Sequence, residues 1–166
     1  MDIDELEKML EAFNPKQYGH CVRTMEEAEK LAVHYGADVQ KAKIAGLLHD
    51  CGKKLKEHDN LTHSKTGAEV AKEVFNIQDE EILNAIRYHT TGRENMSMLE
   101  KIIFIADKIE LGRQYEGVDK LRKKAYLNID EAIAISLEST VEYVKMKNLE
   151  LDKDSLITLK FYKEGK

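Results

Sequence analysis

His49 and Asp50 stand side by side at the end of the apolar run Ile44-Ala45-Gly46-Leu47-Leu48. An imidazole and a carboxylate are costly to bury unless they are paired or ligated. Candidate partners are spread along the chain: His20, His63, His89 and Asp107. Imidazole and carboxylate together suit divalent iron, manganese, cobalt or zinc. The absence of thiolate from the set argues against a structural zinc site. These six residues are therefore expected to hold two metal ions. On an ideal helix the side chains of His49 and Asp50 diverge by about 100°. Near a helix end they share one ion, or Asp50 bridges two. His20, His49 and Asp107 then complete the first site around Asp50, and His63 and His89 the second. Two neighbouring ions clamp a phosphoryl group, and a bridging hydroxide is a strong nucleophile near neutral pH.

Cations and hydroxyls near these residues are the next candidates. Lys53 follows Asp50 by three residues, one helical turn on if the helix persists. Its ammonium could stabilise charge developing on a phosphate oxygen. Arg93, in Thr90-Thr91-Gly92-Arg93, and Arg113, after Gly112, are expected to bind substrate phosphate. Thr90 and Thr91 offer hydroxyls beside His89, and Arg23 lies one turn beyond His20. His34 and His58 read as surface residues. Cys51 reads as a small buried side chain, and Arg122-Lys123-Lys124 as a solvated helix face.

The elements that must position these groups all carry a helical period, with no convincing two-residue alternation. Helices are expected over Met1–Phe13, Lys16–Tyr35 and from Asp38 to His49. Asn14-Pro15 separates the first two, and Gly36 stops the second. Lys53–Leu61 is polar and read as a loop. Thr62 or Ser64 opens the next helix, and Asp79 caps the one that ends at His89. Ser97-Met98-Leu99-Glu100 has capping-box spacing. The helix it starts is the most apolar in the chain, so Asp107 is expected to be buried. Beyond a loop from Gly112 to Gly117, helices follow over Val118–Tyr126, from an Asp130 cap to about Lys147, and over Ser155–Tyr162. The fold class is all-α, a compact helical bundle.

Composition agrees. The 166 residues suit one domain. With 42% hydrophobic and 34% charged residues, the chain can build a core and remain soluble. A formal net charge of −5 argues against a nucleic-acid partner. It leaves room for a small phosphorylated substrate, because metal ions supply local positive charge. No apolar run approaches a membrane span. The acidic N-terminus lacks the apolar core of a signal peptide. Cys21 and Cys51 are too few for a disulfide framework, so a cytoplasmic protein with reduced thiols is expected.

The order His20, His49-Asp50, Asp107 resembles the HD superfamily of metal-dependent phosphohydrolases, and His63 and His89 resemble its two-metal branch. Ala45–Asp50, Ala85–Arg93 and Leu99–Glu110 are similar to the YqeK-type branch, and the likeness runs from about Tyr18 to Lys147. The resemblance implies a single HD domain over 1–166 with its core at about 18–147. It implies symmetrical hydrolysis of diadenosine tetraphosphate to two ADP, with attack of a metal-bound hydroxide on phosphorus. His20, His49, Asp50, His63, His89 and Asp107 would be the ligands of a di-iron centre, with Lys53 a catalytic helper. Other HD-type activities stand as alternatives: a nucleoside monophosphatase, a guanosine alarmone hydrolase, or a metal-stabilised nucleotide sensor. The apolar C-terminal helices either complete the core or form a homodimer interface.

Overall fold

The computed structural model of the chain describes residues 2–54 and 63–165, apart from the side chains of Lys54 and His63. Every regular element among those residues is helical, as the periodicity requires. In order they are α1 (Ile3–Phe13), α2 (Pro15–Tyr35), α3 (Val39–Leu48), a 3-10 turn (Cys51–Lys54), α4 (His63–Glu73), α5 (Glu80–Arg87), α6 (Met98–Ile109), α7 (Val118–Leu127), α8 (Ile129–Met146) and α9 (Lys153–Lys163).

Local chemistry sets most boundaries. Asn14 ends α1 and directly precedes Pro15, which opens α2 at a position where no amide is needed. The helix therefore starts one residue before the expected Lys16. Gly36 ends α2 at a φ of 68°, a left-handed cap that glycine adopts without strain. Asp38 and Asp79 cap α3 and α5 through the amides of Lys41 and Glu81, at 3.0 and 2.9 Å. Ser97 and Glu100 close the expected capping box, at 3.2 and 2.7 Å.

Two helix starts differ from the sequence reading. Asn128, not Asp130, caps α8: its extended backbone lets its side chain accept from the Glu131 amide at 3.1 Å. Asp130 lies inside the first turn and pairs with Lys101 at 2.7 Å. In the same way Asp152 caps α9 through the Asp154 amide at 2.8 Å, so that helix starts ahead of Ser155. Ser64 lies within α4, while Thr62 and the expected loop beyond Lys54 fall outside the described residues.

Helix α6 is the axis of the bundle. Ile102, Ile103, Phe104, Ile105, Ala106 and Ile109 are fully buried, and the helix packs on α2, α3, α5, α7 and α8. Each buried side chain of this size is worth about 1.5–3 kcal/mol, so α6 is held from every side. Helix α3 meets α2 at very short range through Gly46. A Cβ there would sit 2.9 Å from the Met25 Cα and 3.2 Å from the Ala28 Cβ. That approach brings the α3 C-terminus, with His49, against the α2 turn that carries His20. Gly46→Ala is expected to destabilise the fold by about 1–3 kcal/mol through overpacking. A melt followed by circular dichroism should shift down by several degrees (roughly 2–4 °C per kcal/mol), and an unchanged melt would contradict the close approach.

Candidate metal centre

Four helices each bring one part of the centre. His20 comes from the second turn of α2. His49 and Asp50 follow α3, His89 follows α5, and Asp107 lies in the last turn of α6. His49, Asp50 and His89 are buried, while His20 and Asp107 keep a small exposed edge. The imidazole Nε2 atoms of His20 and His49 lie 3.1 Å apart. Asp107 Oδ1 is 2.9 Å from the first and 3.3 Å from the second. Asp50 Oδ2 is 3.6 Å from His20 Nε2 and 3.5 Å from His49 Nε2. Its other oxygen, Oδ1, faces His89 Nε2 at 3.4 Å. Two triads result, His20–His49–Asp107 and His49–Asp50–His89.

The far side of each imidazole sets its proton. His49 Nδ1 donates to the Gly46 carbonyl and His89 Nδ1 to the Ile86 carbonyl, both at 2.7 Å. A carbonyl can only accept, so in the neutral rings both Nε2 atoms present lone pairs. His20 Nδ1 faces Glu110 Oε1 at 3.2 Å, and the same logic leaves its Nε2 a lone pair. Three nitrogen lone pairs and the oxygens of two carboxylates thus converge in a mostly buried space. Lys53 and Arg113 reach the carboxylates from outside, and a cation among the facing lone pairs would resolve the repulsion that is left. Ligand atoms that share one ion at about 2.0–2.2 Å sit roughly 3.0–3.5 Å apart, the spacing found here. Hydrogen bonds from the outer nitrogens are also how proteins orient ligating histidines. The residues present therefore fit divalent metal.

The titration behaviour follows from the same crowding. Burial pulls His89 down to about 4, although Asp50 opposes it. Burial also acts to lower His49, but the carboxylates of Asp50 and Asp107 outweigh it and raise the group, so in the metal-free cluster this imidazole holds a proton more readily than a free one. Burial would raise Asp107, yet His20 and His49 hold it well below the usual carboxylate range.

The other expected residues are distributed as follows. Lys53, in the 3-10 turn, reaches Asp50 Oδ2 at 2.8 Å. Arg113 holds Asp107 twice, through its carbonyl at 2.8 Å and its Oδ1 at 2.9 Å. Arg23 bonds Glu110 Oε2 at 2.7 Å rather than the cluster itself. Arg93 is drawn the other way: it pairs with buried Glu100 at 2.8 Å and lies over the Tyr88 ring at 4.4 Å. Thr91 is buried and donates to the Gly92 carbonyl at 2.9 Å, while Thr90 is half-buried beside His89. The side chain of His63, and all of His58, lie outside the described residues. His34 is exposed, with Nε2 2.7 Å from the Tyr126 carbonyl. Cys51 is fully buried, donates to the Gly67 carbonyl at 3.2 Å, and burial raises its thiol.

Three residues escaped the sequence reading. Glu110 is a buried carboxylate that joins His20, Arg23 and the Gly112 amide, the last at 2.6 Å. Its signals were its place one turn after Asp107 and at the end of the stretch Leu99–Glu110. Burial acts to raise it, but the Gly112 amide, Arg23 and His20 hold it below its ordinary value. Lys108 sends its ammonium to the carbonyls of His89 and Phe104, at 3.3 and 3.2 Å. Arg122 is no solvated charge: it donates to the carbonyls of Ile109, Glu110 and Arg113, each at 2.9 Å.

A helical bundle that gathers histidines and aspartates in this order defines a class, and residues 18–112 match the HD domain family. The chain belongs to that family. Its curated relatives are more specific. A protein of Halalkalibacterium halodurans named "Bis(5'-nucleosyl)-tetraphosphatase, symmetrical" is 42% identical, over 86% of each chain. A Bacillus subtilis protein of the same name is 36% identical, over 90% of each. Among solved structures, a predicted HD superfamily hydrolase involved in NAD metabolism from Clostridium acetobutylicum is 37% identical. It superposes with a TM-score of 0.91 over 100% of this chain and 99% of that one. No helix among the described residues is long and apolar enough to cross a membrane.

Two outcomes are expected. Glu110→Ala frees the His20 ring and should weaken manganese binding about tenfold or more in a metal titration; unchanged affinity would remove Glu110 from the centre. The second concerns pH. In metal-free protein, folded His89 titrates near 4 and the unfolded residue near 6.5. The unfolded chain therefore takes up a proton that the folded one refuses, and stability falls as pH drops from about 6.5 towards 4. Relative to His89→Gln, metal-free wild type should lose up to about 3 kcal/mol across that window in urea melts, and parallel pH profiles would contradict this.

Proposed function

We propose that the chain is a symmetrical bis(5'-nucleosyl)-tetraphosphatase that hydrolyses diadenosine tetraphosphate to two ADP at a centre of two divalent metal ions. His20, His49, Asp50, His63, His89 and Asp107 would hold the ions, and Asp50 would lie between the two. The observation that carries this reading is the split of the Asp50 carboxylate, with Oδ2 toward His20 and His49 and Oδ1 toward His89. The names of the curated relatives support the substrate. Iron is the favoured metal, and manganese, cobalt and zinc suit the same ligands.

When bound, the ions supply an activated water and neutralise phosphate charge. The chain's own residues do the rest. Asp50 is held by the Lys53 ammonium, on a side chain that is one-third exposed, which leaves it open to an arriving phosphate as well. Arg113 holds Asp107 and keeps much of its guanidinium in solvent, where it can bind a second phosphate. Water adds across the central phosphoanhydride. The P–O bond between the second and third phosphorus atoms breaks, and charge on the departing ADP oxygen is met by these cations. Two free, buried cysteines support a cytoplasmic location.

Asp50→Ala is expected to abolish hydrolysis and to lower bound metal. Chromatography of wild-type products should show ADP alone. ATP with AMP would exclude symmetrical cleavage, and an active, metal-replete Asp50→Ala protein would overturn the centre.

A further inference from the structure

A groove of about 870 Å³ opens beside the centre, between the α6–α7 loop and α8. Its size falls in the range of small-molecule sites, about 300–1,000 Å³. Asp107 belongs both to the cluster and to the wall of this groove, so the groove reaches the edge of the centre. The far part is apolar. Ile135, Tyr115 and Tyr143 are each more than two-fifths exposed there, an uncommon concentration of large apolar surface in one concavity. Tyr115 is a fixed wall, because its hydroxyl donates to the Lys108 carbonyl at 2.6 Å. Tyr143 projects from α8 in the same groove.

The charge pattern narrows the occupant. The chain is acidic, at −5, yet the groove gathers Lys108, Arg113, Lys120 and Lys124 against Asp107 and Glu116. Lys108 and Arg113 stand at the end nearest the centre, 3.7 and 2.9 Å from the Asp107 carboxylate. Cations near the metal site followed by exposed rings and an apolar floor match a polyphosphate that leads to a base. Aromatic rings stack on any base because every base has a π-face. Ser139, on the same wall, offers a hydroxyl to a ribose.

We propose that this groove binds one nucleoside of the dinucleoside tetraphosphate, with the base on Tyr143 and Tyr115 and the adjoining phosphates on Lys108 and Arg113. The proposal rests on the hydrolase reading above and adds a subsite to it. The subsite selects substrates that carry a nucleoside beyond the phosphates at the metals.

The test uses metal-loaded full-length protein, with Tyr143→Ala to remove the ring and Ser139→Trp to fill the groove. Both should raise KM for diadenosine tetraphosphate about tenfold. Inorganic pyrophosphate has no base, so its inhibition constant should move less than twofold. KM unchanged in both variants, or KM and the pyrophosphate constant rising together, overturns the subsite. A changed elution volume in gel filtration also overturns it, because the groove would then be an interface between copies. Wild type without turnover of the dinucleotide overturns the hydrolase reading and the subsite together. Active wild type with unmoved variants overturns the subsite alone.

Discussion

Acceptors dominate the interior of this protein at one point. Three imidazole nitrogens and the oxygens of two carboxylates face one another across 2.9–3.6 Å. The outer nitrogens of all three rings are committed, two to carbonyls and one to Glu110. No tautomer change relieves the crowding without breaking one of those bonds. Positive charge is therefore built into the demands of the fold. The helices that meet here do so because α6 is buried all round and because Gly46 lets α3 press against α2. Packing thus forces the polar groups together, and the polar groups in turn require a cation.

Much of this was legible in the sequence. His49 and Asp50 stood out because two polar groups closed an apolar run, and that oddity survives as a buried pair with partners on both sides. Asp107 was read as buried from the six mostly apolar residues before it, and its side chain keeps only a small exposed edge. Caps were legible where one residue decides, as at Gly36, Asp38, Asp79 and Ser97. At Asn128 and Asp130 two competent caps lay two apart, and only the backbone conformation chose between them.

Long side chains were the least legible. Arg93, Arg113 and Arg122 look alike in sequence, each a loop or surface arginine near a glycine or a charge. Their destinations differ because a guanidinium reaches across several residues and its partner is set by tertiary packing. Arg93 turns to Glu100, Arg113 to Asp107, and Arg122 to backbone carbonyls. Glu110 was hidden for a related reason: a glutamate one turn after a ligand is ordinary on an exposed helix, and burial alone makes it a partner of His20. His63 was read from the order of histidines and aspartates alone, and its side chain lies outside the described residues.

Arg122 closes the end of α6 in a way that bears on change over time. Its guanidinium binds carbonyls at Ile109, Glu110 and Arg113, so a residue of α7 seals the exposed end of α6 and the turn after it. The loop between Arg113 and the start of α7 is thereby clamped at both ends. Substitutions or small insertions within 114–117 can be absorbed without moving Asp107 or Arg113, because loop closure costs little more as a loop lengthens. That segment also borders the groove. The clamp lets the rim vary while the His20–His49–Asp107 cluster stays in register, so the groove can change shape at little risk to the centre beside it.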